Sequence, residues 1–266
     1  MSRYTLDPMS PPANSPGNPI PASPIQVTYH LFAALNATLQ PDEQSGLGGR
    51  LLYAGAVGTQ SSHLLNAANI AGAASLAAAP DTVLQRQAIR DGVINFLVTS
   101  LEEALRILKN EIRKRQTVSV AVAIEPELLT EQMLDRGVLP DLLPPMARNG
   151  VAGLAIDQAE KFLAQGSRQV IDPISGSAGF VAWSVDRNPA RWLPRLNACA
   201  LAVLPEADLL RRRWLRLAPR YLGQLARREH GVPLSVEEKE QFKSGIESCV
   251  SQFTNEGEES PQISIF

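Results

Sequence analysis

In the first two thirds of the chain, short apolar runs are separated by stretches in which apolar residues have helical spacing. Runs of mainly apolar residues have the length of buried strands at 51–54, 73–79, 93–98 and 117–123. Between these runs, apolar residues recur every three or four positions, as at Leu101, Leu105, Leu108 and Ile112, which predicts amphipathic helices. Strands that alternate with helices predict right-handed crossovers and a parallel sheet covered on both faces.

The same reading extends to the rest of the chain. Further helices are predicted at 26–39, 81–91, 126–136, 151–164, 188–204 and 206–228, and short strands at 138–143, 169–173 and 180–185. Asp81, and Ser100 together with Glu103, have the residue types that cap helix N-termini. The fold class that we expect is α/β, a parallel sheet flanked by helices with an α-helical C-terminal section.

Composition suggests where this fold begins and ends. Seven prolines fall within residues 1–25, which predicts a disordered or extended arm, with a proline-rich ligand for a partner protein as the alternative. We expect an α/β domain with its leading helix over 26–185, a helical section over 186–253 and a flexible tail over 254–266.

The first predicted strand ends at a glycine turn, and a helix pattern follows through Ala71. Strand, glycine turn, helix and strand open a dinucleotide-binding βαβ unit, in which glycines let the backbone approach a pyrophosphate and the helix N-terminus stabilises its charge. The sequence therefore predicts a Rossmann-like domain. Two parts of the pattern are missing, because Ser62 replaces the third glycine and Ala79 replaces the acidic residue that would hold a ribose hydroxyl.

Any ligand at this turn is expected to contact Gly55, Gly58, Thr59, Ser61, Ser62 and His63. We expect a nucleotide or another small anion, and NAD only with weak affinity, no better than high micromolar. His63 is either a ligand contact or a packing residue, and the packing role is favoured.

Charge and cysteine content narrow the function classes. The net charge is −2, which argues against general binding to nucleic acid or to anionic membranes. The two cysteines, Cys199 and Cys249, are far apart in sequence, and buried free thiols are favoured over a disulfide or a metal site. No histidine has metal-ligand spacing. Without a signal peptide pattern or a long apolar run, we expect a cytoplasmic protein.

The predicted helix over 206–228 concentrates positive charge. Its arginines at 213, 216, 220 and 227 line a face beside an apolar stripe. A solvated rim is favoured, and the alternative is an anion site or a surface for a partner helix. A homo-oligomer or a partner protein would bind through this C-terminal section.

Residues 49–142 resemble the NAD-binding segment of the urocanate hydratase (urocanase) family. The resemblance rests on Gly55, Gly58, Ala71-Gly72, Asp81, Gly92, the run Leu101-Glu102-Glu103-Ala104-Leu105, Ser119, and Arg136-Gly137-Val138-Leu139-Pro140-Asp141. It implies a Rossmann-like fold, NAD as cofactor and, in the complete family enzyme, hydration of urocanate.

This chain departs from the family where the ligand would bind. Ala79 aligns with the acidic ribose ligand, and Ile124-Glu125 aligns with an open Gly-Asn turn, where a branched side chain is expected to crowd a cofactor. No segment resembles the family's catalytic Asp-Tyr-Gly-Asn-Asn-Ile-Arg stretch, so no catalytic residue is assigned. We expect a weak nucleotide-binding or interaction module without hydratase activity. The alternative is a divergent hydratase, or a subunit that supplies the NAD half to a separate catalytic chain.

Overall fold

The computed structural model describes residues 22–145, 154–171, 179–255 and 261–266. Most of the predicted N-terminal arm, residues 1–21, lies outside the described residues. Its last part is structured, because Pro24 is the first residue of helix α1 (Pro24–Thr38). The Ser23 hydroxyl caps this helix by accepting a hydrogen bond from the Gln26 amide, and proline is favourable in a first helical turn.

Six strands form one sheet in which every neighbouring pair is parallel. They are β1 (Leu51–Ala56), β2 (Ala74–Ala78), β3 (Phe96–Val98), β4 (Val118–Val122), β5 (Leu142–Leu143) and β6 (Arg168–Gln169). Their order across the sheet is β3-β4-β2-β1-β5-β6. The parallel α/β fold predicted from the sequence is confirmed.

Helices connect these strands. They are α2 (Thr59–Ala71), α3 (Thr82–Arg90), α4 (Leu101–Arg113), α5 (Pro126–Asp135) and α6 (Ile156–Ala164). Residues of α4, α5 and α6 form one apolar cluster with the sheet. Residues of α1, α2 and the C-terminal section form a second cluster with it. The buried strands β2 and β4, which have no exposed residue, lie between the two clusters.

The predicted helix caps at Asp81 and Ser100 are confirmed. The Asp81 carboxylate accepts a hydrogen bond of 2.6 Å from the Val83 amide, and the Ser100 hydroxyl accepts one of 3.3 Å from the Glu103 amide. The Glu103 carboxylate accepts from the amide of Thr99. These bonds occupy donors that a helix N-terminus otherwise leaves unpaired.

Two predicted strands are shorter than their apolar runs. In the run 93–98 only Phe96–Val98 pairs with a neighbouring strand, because the Val93 and Ile94 amides donate to the Ala88 carbonyl and close the turn after α3. Their side chains are buried there, so the apolar residues serve a turn. The run 138–143 contributes only Leu142–Leu143.

The C-terminal section contains a second sheet, which the sequence did not predict. Its elements are β7 (Phe180–Val185), α7 (Pro189–Val203), α8 (Leu209–Tyr221), a 3-10 turn at Leu225–Arg227, β8 (Glu229–Pro233), α9 (Val236–Asn255) and β9 (Ile263–Ile265). The strands are antiparallel in the order β8-β7-β9.

This sheet corrects three details of the sequence reading. The helix predicted over 206–228 stops at Tyr221, because Gly223 adopts a left-handed φ of 55°, and the chain then enters β8. The strand predicted at 180–185 belongs to the antiparallel sheet. Within the predicted flexible tail, Ile263–Ile265 pair with β7, whereas residues 256–260 lie outside the described part.

Among the described residues, no helix combines the length and the apolar character that a membrane span requires.

Candidate ligand site at the carboxyl edge of the sheet

The carboxyl ends of the parallel strands meet at one edge of the sheet, which we call the carboxyl edge. Strand β1 lies between β2 and β5, and the chain continues from β1 toward β2 and later returns to β5 on the other side. In α/β proteins, ligands bind outside the carboxyl ends of the strands at such a reversal of strand order. Helix α2 begins at this edge.

Gly55, the first glycine of the turn, lies inside β1. Its φ is 76°, and the register between β1 and β2 shifts between Tyr53 and Ala56. A side chain is strained at this φ, so glycine is needed here to form the bulge. Gly55 is buried and therefore shapes the end of the strand.

Gly58 is the N-cap of α2. Its φ is −173°, an extended conformation open to any residue. A Cβ built at this position would meet no atom within 4 Å. Neither backbone strain nor packing therefore demands glycine at 58. The missing side chain leaves free space beside the backbone at the start of α2.

The two serines of the turn use their hydroxyls for capping. Ser61 Oγ accepts a hydrogen bond of 2.7 Å from the Gly58 amide and lies 3.1 Å from the Gly58 carbonyl oxygen. Ser62 Oγ donates to the same carbonyl oxygen at 2.7 Å. Both side chains thus hold the turn in shape, and the sequence reading had considered them only as ligand contacts.

Thr59 is exposed, and no acidic side chain lies in the first turn of α2. The first backbone N–H groups of a helix have no acceptor within the helix, and the helix dipole concentrates positive potential there. Because no carboxylate within this turn neutralises the potential, the turn can attract an anion.

His63 belongs to α2, and its side chain contacts helix α1. Its Nδ1 lies 2.9 Å from Thr28 Oγ1, and that hydroxyl donates to the Pro24 carbonyl at 2.8 Å. The hydroxyl therefore accepts from Nδ1, which places the ring proton on that nitrogen. Burial lowers the pKa of His63, so the imidazole is neutral at pH 7. These contacts fit the packing role that the sequence favoured.

Ala79 follows β2, where a nucleotide-binding strand would carry its ribose acceptor. The residue is 1% exposed and belongs to the apolar cluster. Its amide donates to the Val122 carbonyl at 2.8 Å, and its carbonyl accepts from Gln85 Nε2 at 2.6 Å. The side chain at position 79 therefore supplies no hydrogen-bond acceptor.

Ile124, which the sequence reading expected to crowd a cofactor, has a packing partner in the structure. The residue is partly buried and packs against the cluster formed with α4, α5 and α6, and its amide donates to the Val122 carbonyl. Contact with that cluster accounts for its branched side chain. The neighbouring Glu125 is exposed and precedes Pro126, the first residue of α5.

Several residues of the family-like motifs have structural partners at the opposite edge, which we call the amino edge. Asp141 Oδ2 accepts from the Leu51 amide at 2.8 Å and Oδ1 from Arg50 at 2.9 Å. The Asp141 amide returns a bond to the Leu51 carbonyl. Asp141 thus fixes the start of β1 against the chain that enters β5.

A buried polar network near the amino edge was not predicted. Ser119 Oγ lies 2.7 Å from Asn69 Oδ1, and Ser75 Oγ lies 3.1 Å from Ser119 Oγ. All three residues are at most 2% exposed. The network joins α2, β2 and β4. The only sequence signal for it is a serine at the same register position in each of two paired strands.

The arginine-rich helix α8 also has a structural role at this edge. Arg213 donates to three backbone carbonyls: Nε to Ile70 at 2.9 Å, and the terminal nitrogens to Gln44 and Ser45 at 3.4 and 3.3 Å. Burial lowers its pKa. Because Ile70 lies in the last turn of α2, the cation stabilises the negative end of that helix.

The parallel sheet, its strand order and a glycine turn that leads into a helix at the reversal of strand order define a Rossmann-like domain. Comparison with known protein families matches residues 24–147 to the urocanase Rossmann-like domain. This segment is therefore similar to the urocanase Rossmann-like domain, as the sequence resemblance indicated. The match extends from α1 to just beyond β5 and does not include the C-terminal sheet.

Proposed function

We propose that this protein binds a small anionic ligand, such as the phosphate group of a nucleotide, at the N-terminus of α2. In this proposal NAD binds weakly, and the chain by itself does not hydrate urocanate. The proposal extends the family assignment, which concerns the fold of residues 24–147.

The observation that carries the proposal is the open backbone at Gly58. A Cβ there would meet nothing within 4 Å, and the first turn of α2 has no acidic residue. Unpaired backbone N–H groups at a helix N-terminus form a natural phosphate site. The sequence thus keeps the anion-binding part of the dinucleotide pattern.

Weak affinity for NAD follows from position 79. Ala79 supplies no acceptor for the ribose hydroxyls, and its backbone carbonyl is already bonded to Gln85. A missing hydrogen bond to a buried polar group costs about 1 to 3 kcal/mol, or roughly one to two orders of magnitude in affinity. The adenosine half of NAD therefore gains little from this site.

The test compares pyrophosphate, ADP and NAD⁺ by isothermal titration calorimetry on the full chain. We expect dissociation constants above about 100 μM for all three, with similar values for ADP and NAD⁺ because the ribose adds little. A submicromolar constant for NAD⁺, or NAD⁺ that co-purifies at one molecule per chain, would contradict the proposal.

A matched pair of variants locates the site. Gly58→Asp adds a carboxylate at the N-cap of α2, where Asp is favoured, and we expect it to abolish anion binding without loss of stability. Val236→Asp adds the same charge at the first residue of α9, whose side chain is 82% exposed, and should leave binding unchanged. Equal effects of the two variants would show that the anion binds elsewhere.

The alternative is an enzyme: a divergent hydratase, or a subunit that supplies the NAD half to a separate catalytic chain. The family match favours this candidate. It is tested by following the ultraviolet absorbance of urocanate with NAD⁺ and the purified chain. We expect no loss of absorbance, and a loss that depends on the chain would support the enzyme.

A further inference from the structure

The structure brings together the two cysteines, which are distant in sequence. Cys199 lies on α7 and Cys249 on α9, and both side chains are partly exposed, whereas the sequence favoured buried thiols. Both thiols pack against the same apolar cluster, and Cys249 is an electrostatic neighbour of Cys199. Cys199 Sγ also lies 3.7 Å from the carbonyl oxygen of Gly245, one helical turn before Cys249.

Helix packing holds the thiol pair in register. A Cβ at Gly245 would lie 3.8 Å from Cys199 Cβ, so the two helix surfaces touch at this turn. Farther along, Arg195 Cζ lies 3.5 Å from the centre of the Phe253 ring, and Trp192 meets the same ring edge-on at 6.1 Å. Since earlier residues of α7 meet later residues of α9, the helices are antiparallel and contact each other over several turns.

The Cys199 thiol is held in its protonated form. Burial, together with the adjacent Cys249, raises the pKa of Cys199 to about 11, and Cys199 Sγ donates to the Gly245 carbonyl oxygen. Thiol–disulfide exchange begins with a thiolate, so Cys199 is a poor attacking thiol at neutral pH. We therefore assign it the second, resolving position, with Cys249 as the attacking thiol.

We propose that Cys199 and Cys249 are a redox-active dithiol that a soluble organic disulfide converts into an intramolecular disulfide between α7 and α9. The Cys249 thiolate attacks one sulfur of the oxidant and forms a mixed disulfide, and the first thiolate of the oxidant leaves. Cys199 then loses its proton and attacks the Cys249 sulfur, which releases the second thiolate. Two protein thiols and one small disulfide become one protein disulfide and two small thiols.

The experiment exposes the folded full chain to an excess of glutathione disulfide. We expect both thiols to disappear in a thiol assay and the monomer mass to fall by two hydrogens. We also expect the melting temperature to rise by roughly 5 to 10 °C, because the cross-link closes a long loop. Dithiothreitol should reverse all three changes.

Cys199→Ser and Cys249→Ser are the matched controls. Each removes one partly exposed thiol, so both should fold and melt near the reduced wild type. After treatment with glutathione disulfide, each variant should carry one glutathione as a mixed disulfide or remain unreacted. In neither case should its melting temperature rise. The proposal is overturned if the wild type collects two glutathiones, links two chains, or keeps both thiols. It is also overturned if either single variant gains the same stability on oxidation.

Discussion

The amino and carboxyl edges of the parallel sheet differ in the contacts that their motif residues make. At the amino edge, Asp141 and the nearby buried Ser119 each have hydrogen-bond partners in a neighbouring element. At the carboxyl edge, Gly58 faces open space and Ala79 is apolar. Two of the residues that carry the resemblance, Asp141 and Ser119, therefore join elements of the sheet, whereas a third, Gly58, does not.

The contrast is strongest between two glycines that bound the same helix. Gly72 ends α2 with a φ of 96°, and a Cβ there would lie 2.5 Å from the Ser45 carbonyl oxygen and 2.7 Å from an Arg213 nitrogen. Gly58 begins α2 with an extended backbone and free space. One glycine is required by packing and the other is not.

The largest effect is therefore expected for Gly72→Ala. We predict a loss of about 3 kcal/mol or more in the free energy of unfolding, because left-handed strain adds to a clash with fixed backbone. Gly58→Ala should change it by less than about 0.5 kcal/mol. Urea denaturation of both variants measures the difference, and similar values would remove the distinction between the edges.

Asp141→Asn tests the amino edge without changing the size of the side chain. Its carboxylate accepts hydrogen bonds from the Leu51 amide and from Arg50, one on each oxygen. The side-chain amide of Asn has only one acceptor oxygen, so it can replace only one of these two bonds. We predict a loss of about 1 to 2 kcal/mol, since bonds to a charged acceptor are stronger than neutral ones.

The control for this substitution is Asp135→Asn, at the exposed end of α5. Its stability should match the wild type by the same denaturation assay. If Asp141→Asn were equally neutral, the start of β1 would not depend on that carboxylate.

The smallest effect concerns pH and His63. Burial lowers its pKa in the folded state, so the unfolded chain takes up the proton more readily. The contribution of neutral His63 to the free energy of unfolding is therefore fully present above the unfolded pKa of about 6.5. This contribution is lost progressively as the pH falls below that value.

Melting temperatures between pH 7.5 and 5.5 measure this effect. The melting temperature of His63→Gln should depend less on pH than that of the wild type over that interval. The pH dependence that remains comes from His30 and His230, whose pKa values burial also lowers. An unchanged slope in His63→Gln would show that His63 is equally easy to protonate in both states.

The sequence predicted the elements whose signals are local. The cap at Asp81 and the strand at 118–122 could be found because a cap residue or a β-branched run acts within a few positions. Strand β8, with the sequence Glu-His-Gly-Val-Pro, carries no such pattern. It becomes a strand only by pairing with β7, about 50 residues earlier, and a single sequence does not reveal that partner.

The candidate site was predictable to the same extent. The glycine turn and the missing acidic residue could be recognised from spacing alone. The capping role of Ser61 was readable in principle, because it stands three residues after the N-cap Gly58. By contrast, the partners of His63, Ala79 and Arg213 come from other elements. Thr28, which forms a hydrogen bond with His63, lies 35 residues away in sequence, and no residue near His63 in the sequence indicates this partner.

The two apolar clusters also differ in when they can be completed during synthesis. The buried members of the cluster with α4, α5 and α6 lie between Leu51 and Phe162, whereas those of the other cluster extend from Ile25 to Ile246. As the chain leaves the ribosome from its N-terminus, the first cluster can close while the C-terminal section is still unmade. On the opposite face, α1 and α2 already pack with the sheet, but their outer apolar surface stays uncovered until α8 emerges. The nascent chain therefore passes through a stage in which this second cluster is incomplete, with the kind of exposed apolar surface that chaperones bind.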